Sequence, residues 1–216
     1  MMDKTLIGRV RGSYKLGQVR AWSGKAFWSG LAPLRRPALP WLLARRAEVN
    51  IHFGCGPIHD PRFINVDARA MRHVHVVTRS PLLRAFPLGC ADMIYACHVF
   101  EHLPFARQKA VLTRWLDILK PGGRVMISVP DFDKLVDRYL ANERNPRSIQ
   151  EPLMGGQDYP GNFHFAIFTR SHLMALLDAA GFTEIAEWHP RDEVSWPQDY
   201  SWADWISLNV CARRPR

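Results

Sequence analysis

The feature that most restricts the fold of this chain is a change of texture after Arg46. From there, short apolar runs alternate with amphipathic stretches of helical period. The runs are EVNIHF (48–53), FINVD (63–67), HVHVV (73–77), DMIYAC (92–97) and GRVMISV (123–129). Among the helical stretches, PFARQKAVLTRWLDIL (104–119) places Val111, Trp115, Ile118 and Leu119 on one face. Pro104 sits in its first turn, and Pro121-Gly122-Gly123 is expected to stop it. DFDKLVDRYLANE (131–143) opens on an N-cap acid, and TRSHLMALLDAAGF (169–182) runs from a Thr cap to Gly181. TEIAEW (183–188) and WISLNVCA (205–212) read as two final strands. Strands separated by helical stretches predict parallel β-α-β winding.

Length allows one well-buried domain: 216 residues, 47% of them hydrophobic, are too few for two large cores. Cys55, Cys90, Cys97 and Cys211 form no C-x-x-C pair, so neither a disulfide framework nor a cysteine zinc cage is indicated, and a reducing, cytoplasmic setting is expected. No apolar run approaches the roughly 20 residues of a membrane span, and the N-terminus lacks the apolar stretch of a secretory signal.

The net charge of +9 is concentrated in one place. Residues 1–46 carry ten Lys and Arg against Asp3, whereas residues 47–216 carry nineteen bases and nineteen acids. The chain therefore divides into a basic, Trp/Arg-rich N-terminal extension (1–46) and a neutral main domain (47–216). In the extension, cations alternate with Trp22, Phe27, Trp28, Leu31 and Trp41, a mixture suited to peripheral contact with the inner face of a membrane. Packing against the domain is the other reading of this extension, because prolines at 33, 37 and 40 break any long amphipathic helix. Nucleic acid is not expected as a partner, since the main domain is neutral and the extension lacks a reader fold.

Two motifs carry chemistry. Gly54-Cys55-Gly56 follows the first strand, and Asp67 ends the second. Glycines at such a turn let backbone approach a ligand, and an acid at that offset can accept ribose hydroxyls, which is nucleotide or nucleoside geometry. The second motif, ACHVFEHLP (96–104), holds His98, Glu101 and His102 in the H-x-x-E-H order of one class of zinc peptidase. That chemistry needs both histidines on one uninterrupted helix. Here a strand runs directly into His98 and Pro104 follows closely, so no metal is expected.

Taken together, GCGP, RFINVD, FPLGCADMIYACHVFEHL, LKPGGRVMISVPDF and GNFHFAIFTRSHLMALLDAAGF resemble the class I S-adenosylmethionine-dependent methyltransferases over residues 48–212. The closest resemblance is to the type-11-like branch associated with polysaccharide and glycolipid synthesis. It implies a Rossmann-like α/β fold with a seven-stranded, mostly parallel sheet, helices on both faces and the last strand antiparallel. It also implies S-adenosylmethionine as cofactor, over the carboxyl ends of the first, second and fourth strands. Gly54, Cys55, Gly56, Asp67, His98 and Val99 are the cofactor-binding candidates.

For a hydroxyl acceptor, a general base must remove a proton, and histidine is suited to that. His102 and His164 are the catalytic candidates, with His164 in the long segment YPGNFHFAIF where a substrate lid would lie. The chain departs from the family pattern at His52, where an acid is common, and at Thr78 and Arg79, where an acid that holds adenine is common. Trp188, Trp196, Tyr200, Trp202 and Trp205, set among acids, are able to stack on sugar rings or to pack on the sheet edge. The expected function is O-methylation of a sugar or glycolipid intermediate. The alternatives are a non-catalytic partner or scaffold that kept the fold, and a zinc peptidase.

Overall fold

The computed structural model describes residues 38–189, 203 and 205–216; residues 1–37 of the extension, and Trp196, Tyr200 and Trp202 of the aromatic tail, lie outside the described residues. The strands are β1 (Asn50–Phe53), β2 (Phe63–Asp67), β3 (Val76–Val77), β4 (Ala91–Cys97), β5 (Leu119–Pro130), β6 (Thr183–Glu187) and β7 (Ser207–Arg213). They form one seven-stranded sheet in the order β3-β2-β1-β4-β5-β7-β6. β1 to β5 pair in parallel, and β7 runs antiparallel to both of its neighbours. The helices are α1 (Leu39–Ala44), α2 (Phe105–Ile118), α3 (Phe132–Ala141), α4 (Gln150–Met154) and α5 (Arg170–Ala179). The mostly parallel sheet flanked by helices, with an antiparallel last strand, is the expected architecture.

Side chains alternate across a strand, so each apolar run sends every second residue to one face. Ile51, Val66, Ile94 and Ile127 belong to the main core, onto which α2 lays Val111, Leu112, Trp115 and Ile118 and α5 adds Leu173 and Leu177. A smaller cluster of Phe63, Met93, Tyr95, Cys97 and Met126 is backed by Trp188. His52 is fully buried, its ring edge-on to Phe63 and Tyr95. The two cap assignments hold: Asp131 accepts from the N–H of Asp133, and Thr169 accepts from that of His172.

Three connections differ from a regular winding. Residues 54–62, 68–75 and 78–90 join β1 to β2, β2 to β3 and β3 to β4 without an α-helix. Loops suffice because the strands are short: a four-residue strand rises about 13 Å, and nine extended residues reach about 30 Å. The loop between β3 and β4 is pinned by α2. Trp115 Nε1 donates to the carbonyl of Pro81 at 2.7 Å, and Arg114 donates to those of Leu82 (3.3 Å) and Phe86 (2.9 Å). Leu83 and Phe86 then enter the main core.

The helix stop also differs from expectation. α2 ends at Ile118, ahead of Pro121-Gly122-Gly123, which instead lie inside β5 as a bulge between the pairs Ala91↔Leu119 and Met93↔Arg124. A Cβ on Gly123 would sit 2.8 Å from the carbonyl oxygen of Lys120, so close backbone approach requires glycine there. At the other end of the domain, α1 begins within the basic stretch. Leu42 is buried in the main core, and the Arg46 guanidinium donates to the carbonyls of Pro61, Arg62 and Phe63. Residues 39–46 thus fold with the strands that follow them.

Trp115→Ala is expected to lower the unfolding free energy by about 3–5 kcal/mol in a urea titration, through the lost ring and its cavity. Trp115→Phe, which keeps an aromatic ring but frees the Pro81 carbonyl, should cost about 1–3 kcal/mol.

Candidate functional site

Strand order reverses at β1, whose neighbours are β2 and β4, and the crevice beyond their carboxyl ends is where open α/β sheets take ligands. The turn out of β1 is tightly specified. Gly54 has φ +72°, its N–H donates to the Val66 carbonyl at 2.8 Å, and a Cβ there would fall 2.5 Å from Cγ2 of Val99. Gly54 therefore lets the β1 and β4 turns touch. Gly56 (φ +52°) donates to Asp67 Oδ2 at 2.8 Å, and its carbonyl accepts from His73 Nε2 at 2.9 Å. The Cys55 thiol is buried and points at the Gly56 carbonyl.

Asp67 is only 6% exposed. Its Oδ1 accepts from the backbone N–H of Arg69 at 2.8 Å and from Arg69 Nε at 3.2 Å. Burial works against the Arg69 charge, but the Asp67 carboxylate outweighs it and raises the guanidinium pKa. The same guanidinium lies 5.4 Å from the ring centroid of Tyr159, whose phenol burial pushes up in pKa. Tyr159 belongs to the segment between α4 and α5, so that segment reaches the carboxyl end of β2. Arg69 and Tyr159 were not among the sequence candidates. An acid followed two residues later by its backbone partner is an Asx-turn signal, which points to Arg69; nothing local points to Tyr159.

The turn out of β4 carries the second motif. His98 has φ +47°, a left-handed conformation costing about 1–2 kcal/mol for a residue with a side chain. It is held by its N–H to the Ser128 carbonyl (2.9 Å) and by Nε2, 2.8 Å from Ser207 Oγ. Because Ser207 Oγ itself donates to the Ala203 carbonyl at 2.7 Å, His98 Nε2 is the donor in that pair. Phe100–His102 forms a single 3₁₀ turn, so His98 and His102 do not share a helical face.

Glu101, 1% exposed, lies between the histidines. His98 Nδ1 is 3.3 Å and His164 Nε2 is 3.9 Å from its Oε1. Burial alone would raise the carboxyl pKa, but contact with His98 and the charges of His98, His102 and His164 bring it below the usual carboxylate range. The segment after α4 docks here through backbone as well: the N–H of Phe165 donates to the Glu101 carbonyl at 2.9 Å. His102 Nδ1 lies 2.9 Å from the Phe163 carbonyl and His164 Nδ1 lies 3.0 Å from that of Pro152. Their rings meet edge to face at 4.8 Å between centroids. Burial lowers the pKa of His164. His102 and His164, 62 residues apart in sequence, are thus brought together. A cavity of about 570 Å³ opens beside His164, with Phe105, Met154, Phe165, Ile167 and Leu176 in its wall.

A family profile described as "Methyltransferase domain" matches residues 42–187, more than half of the chain. The chain belongs to the methyltransferase-domain family. No curated protein matches this chain. Among solved structures it is similar to a SAM-dependent methyltransferase of Thermotoga maritima (18% identity, 82% of this chain and 86% of that one, TM-score 0.50). It is also similar to the Haloferax volcanii methyltransferase solved with the Trm112 methyltransferase activator (12%, 83% and 89%, TM-score 0.50). A third is the Haemonchus contortus phosphoethanolamine N-methyltransferase 2 in complex with S-adenosyl-L-methionine (12%, TM-score 0.49), where this chain is covered to 79% but spans only 49% of the other. Against two further structures it spans 63% and 49% of their length.

The crevice is compatible with S-adenosylmethionine, the cofactor expected from the sequence. Gly54 and Gly56 keep the floor free of side chains, and the Asp67 carboxylate has acceptor capacity beyond its bond to Gly56 once the half-exposed Arg69 side chain swings away. Thr78, at the expected adenine end, has its N–H on the Asp67 carbonyl. Of the aromatic tail, Trp188 packs beside Tyr95 at 6.3 Å between centroids, and Trp205 lies under the Arg138 guanidinium.

Gly54→Ala should destabilise the protein by about 2–4 kcal/mol, combining left-handed strain with the clash on Val99. In the double variant Gly54→Ala/Val99→Ala, thermal or urea unfolding should show the steric part returning and the strain persisting.

Proposed function

We propose that this protein transfers a methyl group from S-adenosylmethionine to a hydroxyl of a sugar or glycolipid. The observation that carries the reading is the meeting of His102, His164 and Glu101 next to the crevice at β1 and β4. Gly54, Cys55, Gly56, Asp67, His98 and Val99 would hold the cofactor, with Asp67 accepting from its ribose. The cofactor, when bound, supplies an electrophilic methyl group on sulfur. The chain's own contribution is placement and proton removal. Both Nδ1 atoms face backbone carbonyls, which only accept, so in the neutral rings the Nε2 atoms of His102 and His164 carry lone pairs. Either one is able to take the hydroxyl proton. Glu101, ionised beside them, favours the imidazolium that results.

The apolar cavity against His164 supports an acceptor with a hydrocarbon part, as a lipid-linked sugar has. Contact with the inner face of a membrane through the basic extension would bring such an acceptor within reach; among the described residues no helix is long and apolar enough to cross a membrane. A second reading is favoured by one observation. Arg69 already pairs with Asp67, as it would in a fold partner that no longer binds cofactor.

Calorimetric titration with S-adenosylmethionine and S-adenosylhomocysteine separates the two: micromolar binding that Asp67→Ala abolishes supports the enzyme, and no heat at millimolar ligand supports the fold partner. With an acceptor in hand, His102→Ala and His164→Ala should each lower kcat by about 10²–10⁴-fold while cofactor affinity stays within about threefold. For the membrane contact, liposome flotation of residues 38–216, which retain α1, should fall well below that of the full chain; equal flotation would remove the idea.

A further inference from the structure

We infer that Glu101, His102 and His164 form a binding site for one divalent first-row transition-metal ion. One ligand atom from each of the three lies within 4.8 Å of the other two; ligands at about 2.0–2.2 Å from a common ion stand closer than this, so binding would draw the three side chains together. Three independent features point the same way.

Both histidines are set in the tautomer that a metal needs. Nδ1 of His102 donates to the Phe163 carbonyl and Nδ1 of His164 to the Pro152 carbonyl, which leaves the lone pair of each neutral ring on Nε2; that of His164 lies 3.9 Å from Glu101 Oε1. This is the outer-shell arrangement that accompanies ligating histidines. The carboxylate is the second feature. Glu101 is 1% exposed, and neither of its oxygens has a hydrogen-bond partner of good geometry. Buried carboxylate oxygens are normally satisfied, and a cation satisfies several lone pairs at once. The third is the donor set. Two imidazole nitrogens and one carboxylate oxygen suit zinc, iron, cobalt or manganese, and three protein ligands leave an open position for a further oxygen.

The sequence pattern H-x-x-E-H gave no metal because its reading required His98 and His102 on one helix. The structure replaces His98 with His164, from a segment outside the motif, and leaves His98 beside Oε1 with its other nitrogen on Ser207. His98 is then a positioning residue for the carboxylate. The site's existence rests on this geometry alone. Its role rests on the methyl-transfer reading: with the ion bound, both Nε2 lone pairs are ligands, so the ion would stand in for the histidine base by binding the acceptor hydroxyl and lowering its pKa, with the proton released to solvent.

The test is titration of untagged, chelator-stripped full-length protein with Co²⁺, followed by visible absorption and by proton NMR. One ion per chain should bind with the strong absorption of low-coordinate cobalt. Two far-shifted exchangeable proton signals should appear, one from each ring Nδ1–H. His164→Gln and Glu101→Gln should weaken binding by more than the about 10–100-fold that loss of an outer partner costs. Zn²⁺ should raise the melting temperature of the wild type and of neither variant. No Co²⁺ binding at millimolar ion, binding that both substitutions leave unchanged, or absence of the two shifted signals would overturn the site. Parallel titration with S-adenosylmethionine keeps the two proposals apart. Cofactor heat without cobalt binding removes the metal alone, and cobalt binding without cofactor heat removes the methyl-transfer reading alone.

Discussion

A carboxylate held almost entirely out of water organises the functional end of this molecule. Leaving Glu101 alone in an apolar setting would cost several kcal/mol, so its burial obliges other polar groups to converge on it. They come from separate parts of the chain: His98 and His102 from the turn out of β4, and His164 from the segment before α5. The backbone bond from Phe165 to the Glu101 carbonyl fastens that segment to the same turn. Remove the carboxylate and three histidines lose their common reference point.

The β4 turn also joins the two halves of the site. Val99 presses on Gly54 from one side of the turn, and Glu101 gathers the histidines on the other. The residue that presses on the glycine turn and the one that gathers the histidines are therefore two positions apart in one short stretch, set by where β4 ends in the sheet. The left-handed backbone at His98 is the bend that makes both contacts available, and its strain is offset by the bonds to Ser128 and Ser207.

Much of this was legible in the sequence, and the parts that were not share a cause. Strand runs such as FINVD and DMIYAC announce themselves through local composition, and Asp131 and Thr169 announce helix starts through cap chemistry. Both signals are local. The helix-free connections from β1 to β4 were harder to read, because what pins the loop after β3 is Trp115 and Arg114, some thirty residues downstream. Pro121-Gly122-Gly123 was misread as a helix stop since a bulge and a terminator draw on the same residues. His102 and His164 could each be nominated alone, but their meeting, the burial of Glu101 between them and the reach of Tyr159 to Arg69 depend on tertiary docking that no spacing encodes.

The docked segment between α4 and α5 carries a further consequence. The carbonyl of Phe163, which holds the Nδ1 proton of His102, is part of the segment itself. Without the segment in place, that ring would lose its outer partner and His164 would lose its contact with Glu101. The segment is thus at once a wall of the histidine cluster and the outer partner that orients its His102 ring.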